Sequence, residues 1–316
     1  MDYDSVLVTG GAGFIGSHTV DSLLSEGVEV WVLDDLSTGS ARNLRAWKNN
    51  ARFHMKKGSV VHYNAVELLT RKVDAIVHLA AAVSPRLSVK KPEVVNMINV
   101  SGTLNVLRAS IKSKIERLVF GSSCSVYGNQ NVLPISEDNP LQPITPYGAS
   151  KVSGEKYCGT FFQTYGLSTV SLRYFNVYGE RQSANPYSGV IAIFAKHLSR
   201  GLGSSIYGDG EQTRDFIHVS DVVKANLQAL PTHKGTGEAF NVGTGRPTSL
   251  NQLFSLMAEL AGKPEMTPTR AHSRPGDIQQ SYANMSRTKH VLGFDPSVEL
   301  RQGLKMLIES LSQRST

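Results

Sequence analysis

Ser5-Val6-Leu7-Val8-Thr9-Gly10-Gly11-Ala12-Gly13-Phe14-Ile15-Gly16 lies at the start of the chain, and its reading decides the fold. An apolar run of strand length meets a cluster of glycines, and an apolar-periodic helical stretch follows. Gly11-x-Gly13-x-x-Gly16 and Gly10-x-x-Gly13-x-x-Gly16 overlap in it. Such a turn needs glycine because the chain reverses sharply and lets a pyrophosphate come close to its backbone. The helix start beyond it offers unpaired N–H groups and partial positive charge. The next apolar run, Glu29–Asp34, ends in an acid at about the ~20-residue distance where a carboxylate meets a ribose. A carboxylate there repels a 2′-phosphate, so NAD is expected rather than NADP.

The pattern of the first half extends this reading. Ser5–Thr9, Glu29–Asp34, Ala75–Leu79, Arg117–Ser122 and Ser168–Arg173 read as buried strands, with helical stretches such as Ser17–Ser25 and Val95–Ser110 between them. Strand–helix alternation predicts a parallel sheet covered on both faces, an α/β doubly wound Rossmann-type unit over residues 1–175. After Phe175, Gly and Pro cluster and the helices are separated by irregular loops. Residues 176–316 are expected to form a smaller mixed α/β lobe that binds substrate. A segment near 214–245 returns to the sheet, because Glu238–Val242 again reads as a strand. Ser249 with Gln252 is a capping box.

Composition excludes several classes. Hydrophobic residues make up 40% of the 316 and charged residues 19%, which suits a globular core. No apolar run has the length of a membrane span. The acidic start lacks the features of a signal peptide, so the cytoplasm is expected. The net charge of +7 is scattered and argues against nucleic acid. Two cysteines, and nine histidines without HExxH spacing, predict neither a disulfide framework nor a metal site.

Tyr147-Gly148-Ala149-Ser150-Lys151 places a phenol and an ammonium one helical turn apart. The ammonium is expected to lower the phenol's pKa and make it a base for an alcohol proton. Ser122, Ser123 and Ser125 follow the strand at Arg117, at the carboxyl end where ligands of such sheets bind.

With these elements in this order, the chain resembles the extended short-chain dehydrogenase/reductases, most closely the UDP-sugar 4-epimerases. The likeness spans nearly the whole length. It runs through Thr9–Gly16, His78-Leu79-Ala80-Ala81, Ser122–Gly128, Tyr147–Lys151, Arg173–Gly179, Gly208-Asp209-Gly210, Arg214–Val219 and Arg274-Pro275-Gly276-Asp277. The resemblance implies NAD as cofactor, with Ser123, Tyr147 and Lys151 catalytic. Gly10, Gly13, Phe14, Ile15 and Gly16 would hold the pyrophosphate. Asp34, Asp35, Ser37, Thr38 and Gly39 would surround the adenosine ribose, and Gly58, Ser59 and Val60 the adenine. Leu79, Ala80, Ala81, Asn99, Ser122 and Tyr174, with Tyr147 and Lys151, would complete the cofactor site. Ser84, Arg86, Ser123, Cys124, Ser125, Tyr147 and Ser281 would border the sugar. Asn176, Val190, Tyr207, Arg214, Arg274 and Asp277 would hold the UDP part, Tyr207 by stacking on uracil. The reaction implied is transient oxidation at C4, turnover of the 4-keto sugar in the cleft, and return of the hydride to its other face.

The match departs from related enzymes in useful places. The 4,6-dehydratases carry an Asp-Glu pair where this chain has Cys124 and Ser125, and the UDP-glucuronate decarboxylases carry a Glu at Ser125. Elimination and decarboxylation are therefore disfavoured. GDP-fucose synthases use a cysteine near Cys124 but also a histidine shortly after the counterpart of Gly179. Here Glu180 and Arg181 follow, so Cys124 reads first as a small buried residue. Ser59 stands where the family often has Asp. Ser281 is small where a Tyr excludes N-acetyl sugars, which extends the expected substrates to UDP-GlcNAc and UDP-GalNAc. Arg86 keeps UDP-glucuronate as the alternative, alongside another nucleotide-sugar epimerase or reductase. A non-catalytic NAD-binding regulator or RNA-binding protein is disfavoured by the retained Ser123, Tyr147 and Lys151. A homodimer is expected through Val95–Ser110 and the helix after Tyr147, using Leu104, Val106, Leu107, Phe161 and Phe162.

Overall fold

The computed structural model describes residues 3–183, 189–273 and 278–313. β1 (Ser5–Thr9), β2 (Glu29–Asp34), β3 (Phe53–Lys57), β4 (Ala75–His78), β5 (Arg117–Ser123), β6 (Thr169–Tyr174) and β10 (Ala239–Val242) form one seven-stranded sheet. Its order is β10-β6-β5-β4-β1-β2-β3, and every pair is parallel. Side-chain alternation along the strands divides the core in two. Val6, Val8, Val30, Val32 and Val77 face one layer, against α1 (Phe14–Ser25) and α8 (Val219–Ala229). Leu7, Leu33, Ile76, Leu118 and Phe120 face the other, against α2 (Tyr63–Thr70), α5 (Gly102–Ser113) and α6 (Pro146–Tyr165). The strand order reverses between β1 and β4. The crevice at such a switch point, beyond the strand carboxyl ends, is where ligands of this fold bind.

A second core gathers Tyr178, Phe194, Phe216, Phe254 and Leu304. It lies among α7 (Val190–Ser199), α9 (Leu250–Leu260) and α11 (Leu300–Gln313). The capping box of Ser249 and Gln252 starts α9. The small sheet beside this core centres on β9 (Thr213–His218), flanked by β7 (Asn176–Tyr178), β11 (Pro247–Ser249) and β13 (Gln280–Ser281). β8 (Ser205–Tyr207) pairs with β12 (Thr269–Ala271). The remaining helices are α3 (Pro85–Lys90), α4 (Pro92–Asn96) and α10 (Ser286–Leu292).

Four expectations change. The stretch Val95–Ser110 is not one helix: α4 passes through a π turn, Met97–Ser101, into α5. β3 escapes a reading by pattern because none of its residues is fully buried, as befits an edge strand. Of the segment near 214–245, α8 and β10 pack with the large sheet, whereas β9 belongs to the small one. Val106 and Leu107 point into the core between α5 and the sheet, so they are closed to a partner subunit. No helix among the described residues is long and apolar enough to cross a membrane.

Asp215 fastens the small sheet. Its buried carboxylate accepts from the backbone N–H groups of Thr244, Gly245 and Ala283 and from the Thr244 hydroxyl, at 2.6–3.1 Å. Asp215→Ala strands three buried amides at about 1–3 kcal/mol each. A loss of at least ~3 kcal/mol in urea unfolding is expected; parental stability would show that this carboxylate clamps nothing.

Candidate active site

The glycine turn has the backbone its sequence requires. Gly10 sits at φ +71, and a Cβ there would lie 2.8 Å from the Ala80 nitrogen, so the turn rests directly on the end of β4. A Cβ on Gly16 would run into the Gly10 carbonyl. Gly13 starts α1 without a side-chain cap, and no acid occupies the first turn. The orphan N–H groups and helix dipole therefore face the crevice with nothing anionic opposing a pyrophosphate. Phe14 and Ile15 stand half-buried at its mouth.

Asp34 is buried at the end of β2. Its two oxygens accept from the backbone of Ala12 at 2.9 Å and of Leu36 at 2.8 Å. Burial pushes its pKa up, and those two amides act against the shift. Each oxygen keeps a lone pair for a ribose hydroxyl. Asp35, Ser37 and Thr38 are exposed around it, and Gly39 packs against Ala12 and Gly13. Two residues not singled out in the sequence hold this end together. Asn43 donates to the Ala12 carbonyl, and Asn105 donates to the carbonyls of Val60 and Val61, fixing the Gly58–Val60 turn. Ser59 uses its hydroxyl to accept from Val61 at 3.4 Å. These features fit a dinucleotide with free ribose hydroxyls.

The π turn explains Asn99. It swings this side chain inward, where its oxygen accepts from the Ala82 nitrogen at 2.7 Å and its NH2 donates to the Ala82 carbonyl and the Ser150 hydroxyl. One amide thus ties the loop after Leu79, Ala80 and Ala81 to α6. Ser84 caps α3, and Arg86 lies on the exposed side of that helix.

Thr145 caps α6 and Pro146 begins it. A Cβ on Gly148 would come within 2.5 Å of the Ser125 carbonyl, so the helix start presses on the serine turn. That contact brings the Tyr147 phenol close to the Ser123 hydroxyl. Ser123 also accepts from the Ser125 hydroxyl at 3.0 Å. Lys151 is buried and donates to the Gly121 carbonyl at 2.7 Å. The expected lowering of the phenol pKa by Lys151 is not found in the ligand-free protein. Burial pushes Tyr147 up to about 12, opposed by Ser123, and burial brings Lys151 down to about 8, opposed by Glu155. The Lys151 ammonium lies 6.0 Å from the Tyr147 ring centre and is held by a carbonyl, so a further positive charge is needed to ionise the phenol.

Two expected cofactor residues direct their hydroxyls elsewhere. Ser122 donates to Glu155 at 2.5 Å, and Tyr174 donates to Asn226 at 2.6 Å, leaving its ring beside Gly121. Cys124 is more than the small buried residue expected. Its thiol, pushed up to about 11 by burial, meets the hydroxyls of Ser123 and Ser281 and the charge of Arg214. β13 pairs with β9 so that Ser281 lies beside Arg214. Asn176 donates to the Asp215 carbonyl at 3.2 Å. Val190 opens α7, and Tyr207 ends β8 with its ring exposed. Arg274 and Asp277 lie outside the described residues. Among those residues no group of three or more His, Cys, Asp or Glu is gathered for a metal.

A model of the NAD dependent epimerase/dehydratase family matches residues 6–243. The chain is 40% identical to a UDP-glucose 4-epimerase of Mycolicibacterium smegmatis, over 98% of its own length and 99% of that protein. Among solved structures, a Thermotoga maritima UDP-glucose 4-epimerase with UDP-glucose superposes with a TM-score of 0.93 at 40% identity, covering 99% of this chain and 100% of that one. A UDP-N-acetylglucosamine 4-epimerase from Methanobrevibacter ruminantium, in complex with UDP-N-acetylmuramic acid, gives 0.94 at 34%, with the same coverage.

Asp34→Asn keeps the side chain's shape and removes its charge. Dinucleotide affinity, measured by calorimetry on stripped protein, is expected to fall ~10-fold or more, the value of a charge-assisted hydrogen bond. Unchanged affinity would remove Asp34 from the site.

Proposed function

The chain belongs to the NAD dependent epimerase/dehydratase family, and on that premise we propose that it is a UDP-sugar 4-epimerase. Its substrates in this reading are UDP-glucose and UDP-galactose, together with UDP-GlcNAc and UDP-GalNAc. One observation carries it: the buried Tyr147–Ser123 pair is flanked by a thiol and a hydroxyl, Cys124 and Ser125, and not by carboxylates. Asp215, the nearby acid, spends its oxygens on Thr244, Gly245 and Ala283. In this reading the site can move one proton to and from an alcohol, and among the described residues no acid is placed to expel water.

Gly10, Gly13, Gly16 and Asp34 hold NAD in this reading, with Lys151 at the nicotinamide ribose. Bound NAD would supply the hydride acceptor and donor, together with a positive charge that would favour the Tyr147 phenolate. Tyr147 takes the proton of the sugar 4-hydroxyl while Ser123 hydrogen-bonds the same oxygen. The 4-keto sugar then turns its other face to the cofactor, and Tyr147 returns the proton. Arg214 and Arg274 grip the diphosphate, Asn176 and Asp277 help to hold the UDP part, and Tyr207 stacks on uracil. Ser281, small and close to the Cys124 thiol, leaves room for an N-acetyl group. Residues 1–175 with α8 and β10 make the NAD unit, and the rest makes the sugar-nucleotide lobe. The working form is a cytoplasmic homodimer. Its interface uses the outer faces of the π turn, α5 and α6, where Met97 and Tyr157 are exposed; a monomer by light scattering at micromolar concentration would contradict this.

The direct test is NMR of products from UDP-glucose, UDP-GlcNAc and UDP-glucuronate, incubated separately without added NAD. The matching C4 epimers of the first two are expected, with kcat lowered ~100-fold or more in Tyr147→Phe. Turnover of UDP-glucuronate alone would move the reading to the uronate. No turnover of any of the three, even with NAD, would end it.

Ser281→Tyr fills the space beside Cys124. It is expected to abolish the N-acetyl activity and spare UDP-glucose; equal loss on both sugars would refute the specificity role.

A further inference from the structure

A second charged pair lies behind the catalytic one, and the reaction above makes no use of it. Glu155 and Arg173 are both nearly inaccessible, 8% and 5% exposed. The Arg173 Nε lies 3.0 and 3.2 Å from the two Glu155 oxygens, and Nη2 lies 2.8 Å from Oε2. Ser122 donates to Oε1 at 2.5 Å. The Arg173 Nη1 donates to the Tyr127 hydroxyl and the Glu137 carbonyl, and Tyr127 donates to Asn241 on β10. Burying two ions costs about as much as their attraction returns, and an apolar pair of equal volume is often at least as stable. Stability alone therefore does not account for the pair.

Its position does. Glu155 follows Lys151 by one turn of α6, so the two side chains lie on one face of the helix. The surroundings of Lys151 are otherwise neutral or cationic. On α6 they are Tyr147 and Cys158, which burial keeps protonated, each pushed up to about 12. From β4 comes His78, brought down to about 3 and hence uncharged. β5 contributes the Phe120 ring at 4.9 Å and the Gly121 carbonyl, and β6 contributes Arg173. Among the described residues around Lys151, Glu155 is the anion. Ser122, which it holds, is the residue before Ser123.

We propose that Glu155, anchored by Arg173, is a positioning residue: its carboxylate keeps the Lys151 ammonium charged in place, and through Ser122 it fixes the strand end that presents Ser123 to Tyr147. Removing the charge lets burial act on Lys151 unopposed. The ammonium then loses its proton at lower pH, and any step that needs it charged fails earlier on the alkaline side.

The test compares the holoenzyme with Glu155→Gln. Lysine labelled with 13C at Cε is followed by NMR from pH 6 to 11, and Lys151 is assigned by the signal lost in Lys151→Arg. A midpoint at least ~1 pH unit lower in Glu155→Gln is expected. Glu155→Asp, which keeps the charge, should recover most of the shift. An unmoved midpoint with only a lower Tm would make the pair merely structural and overturn the proposal. If Glu155→Gln does not fold, the double variant Glu155→Met/Arg173→Met replaces it: the apolar pair leaves no ion buried alone, and the midpoint should again fall. A midpoint unmoved or raised would overturn the proposal. A kinetic arm rests on the epimerase reading: the alkaline limb of kcat should move with the midpoint, with KM changed less than ~2-fold. A moved midpoint without epimerisation of any UDP-sugar would sink that reading and leave the positioning role standing.

Discussion

Helix α6 lies on strand β5 at a separation that only glycine permits. A Cβ on Gly154 would stand 2.5 Å from the Phe120 ring, and a Cβ on Gly148 would stand 2.5 Å from the Ser125 carbonyl. Both glycines face the strand and both give up their side chain to it. The gain is geometric. The Lys151 stem spans the gap to the Gly121 carbonyl, and the Tyr147 phenol comes close to Ser123. Glycine inside a helix costs about 0.5–1 kcal/mol relative to alanine. Here that cost sits beside the reacting groups, where the helix–strand distance sets the distance between the phenol and the serine.

The same closeness governs the electrostatics. Packing that excludes water disfavours the ionised phenol and the ionised ammonium alike, so the two groups drift towards neutrality from opposite sides. A protein that must present a phenolate only when cofactor is in place gains from this arrangement. Without the cofactor the phenol stays protonated and quiet. His78 belongs to the same design. It is bracketed by the hydroxyls of Thr9 and Thr103 and held neutral, so it joins β1, β4 and α5 without adding a charge near Lys151.

Sequence alone revealed what the backbone dictates. The glycine turn, Asp34 at the end of its strand and the Tyr147–Lys151 spacing on one helix face were legible because each is tied to residue type and position. Strand parity was equally legible, since Leu7 and Val8 must face opposite layers. Asn99 was placed in the site through family resemblance, but its task was not legible: a π turn leaves no periodic signature in four residues. Ser122 read as a cofactor contact through the family resemblance, and only the packing shows its hydroxyl turned to Glu155. Glu155 itself stood one turn beyond Lys151 in plain view. A glutamate on a helix is ordinarily solvated, and its partner Arg173 lay in another strand, so nothing local marked the pair.

Cys124 shows how a residue can belong to a site without reacting in it. Its thiol is pushed up by burial, so it stays protonated and is a poor nucleophile. Yet it stands between Ser123 on the large sheet and Ser281 and Arg214 on the small one, and it packs against the cluster around Val126, Phe175 and Ala283. A carboxylate at that point would be buried beside Asp215, and like charges in one enclosed site cannot both stay ionised. One would take a proton and become an acid close to the sugar. A thiol avoids this, since it is small, uncharged and able to hydrogen-bond weakly to both serines. In the proposed reaction the chemistry is thereby confined to what Tyr147 and Ser123 can do with a single proton, and such confinement would separate reversible oxidation from elimination.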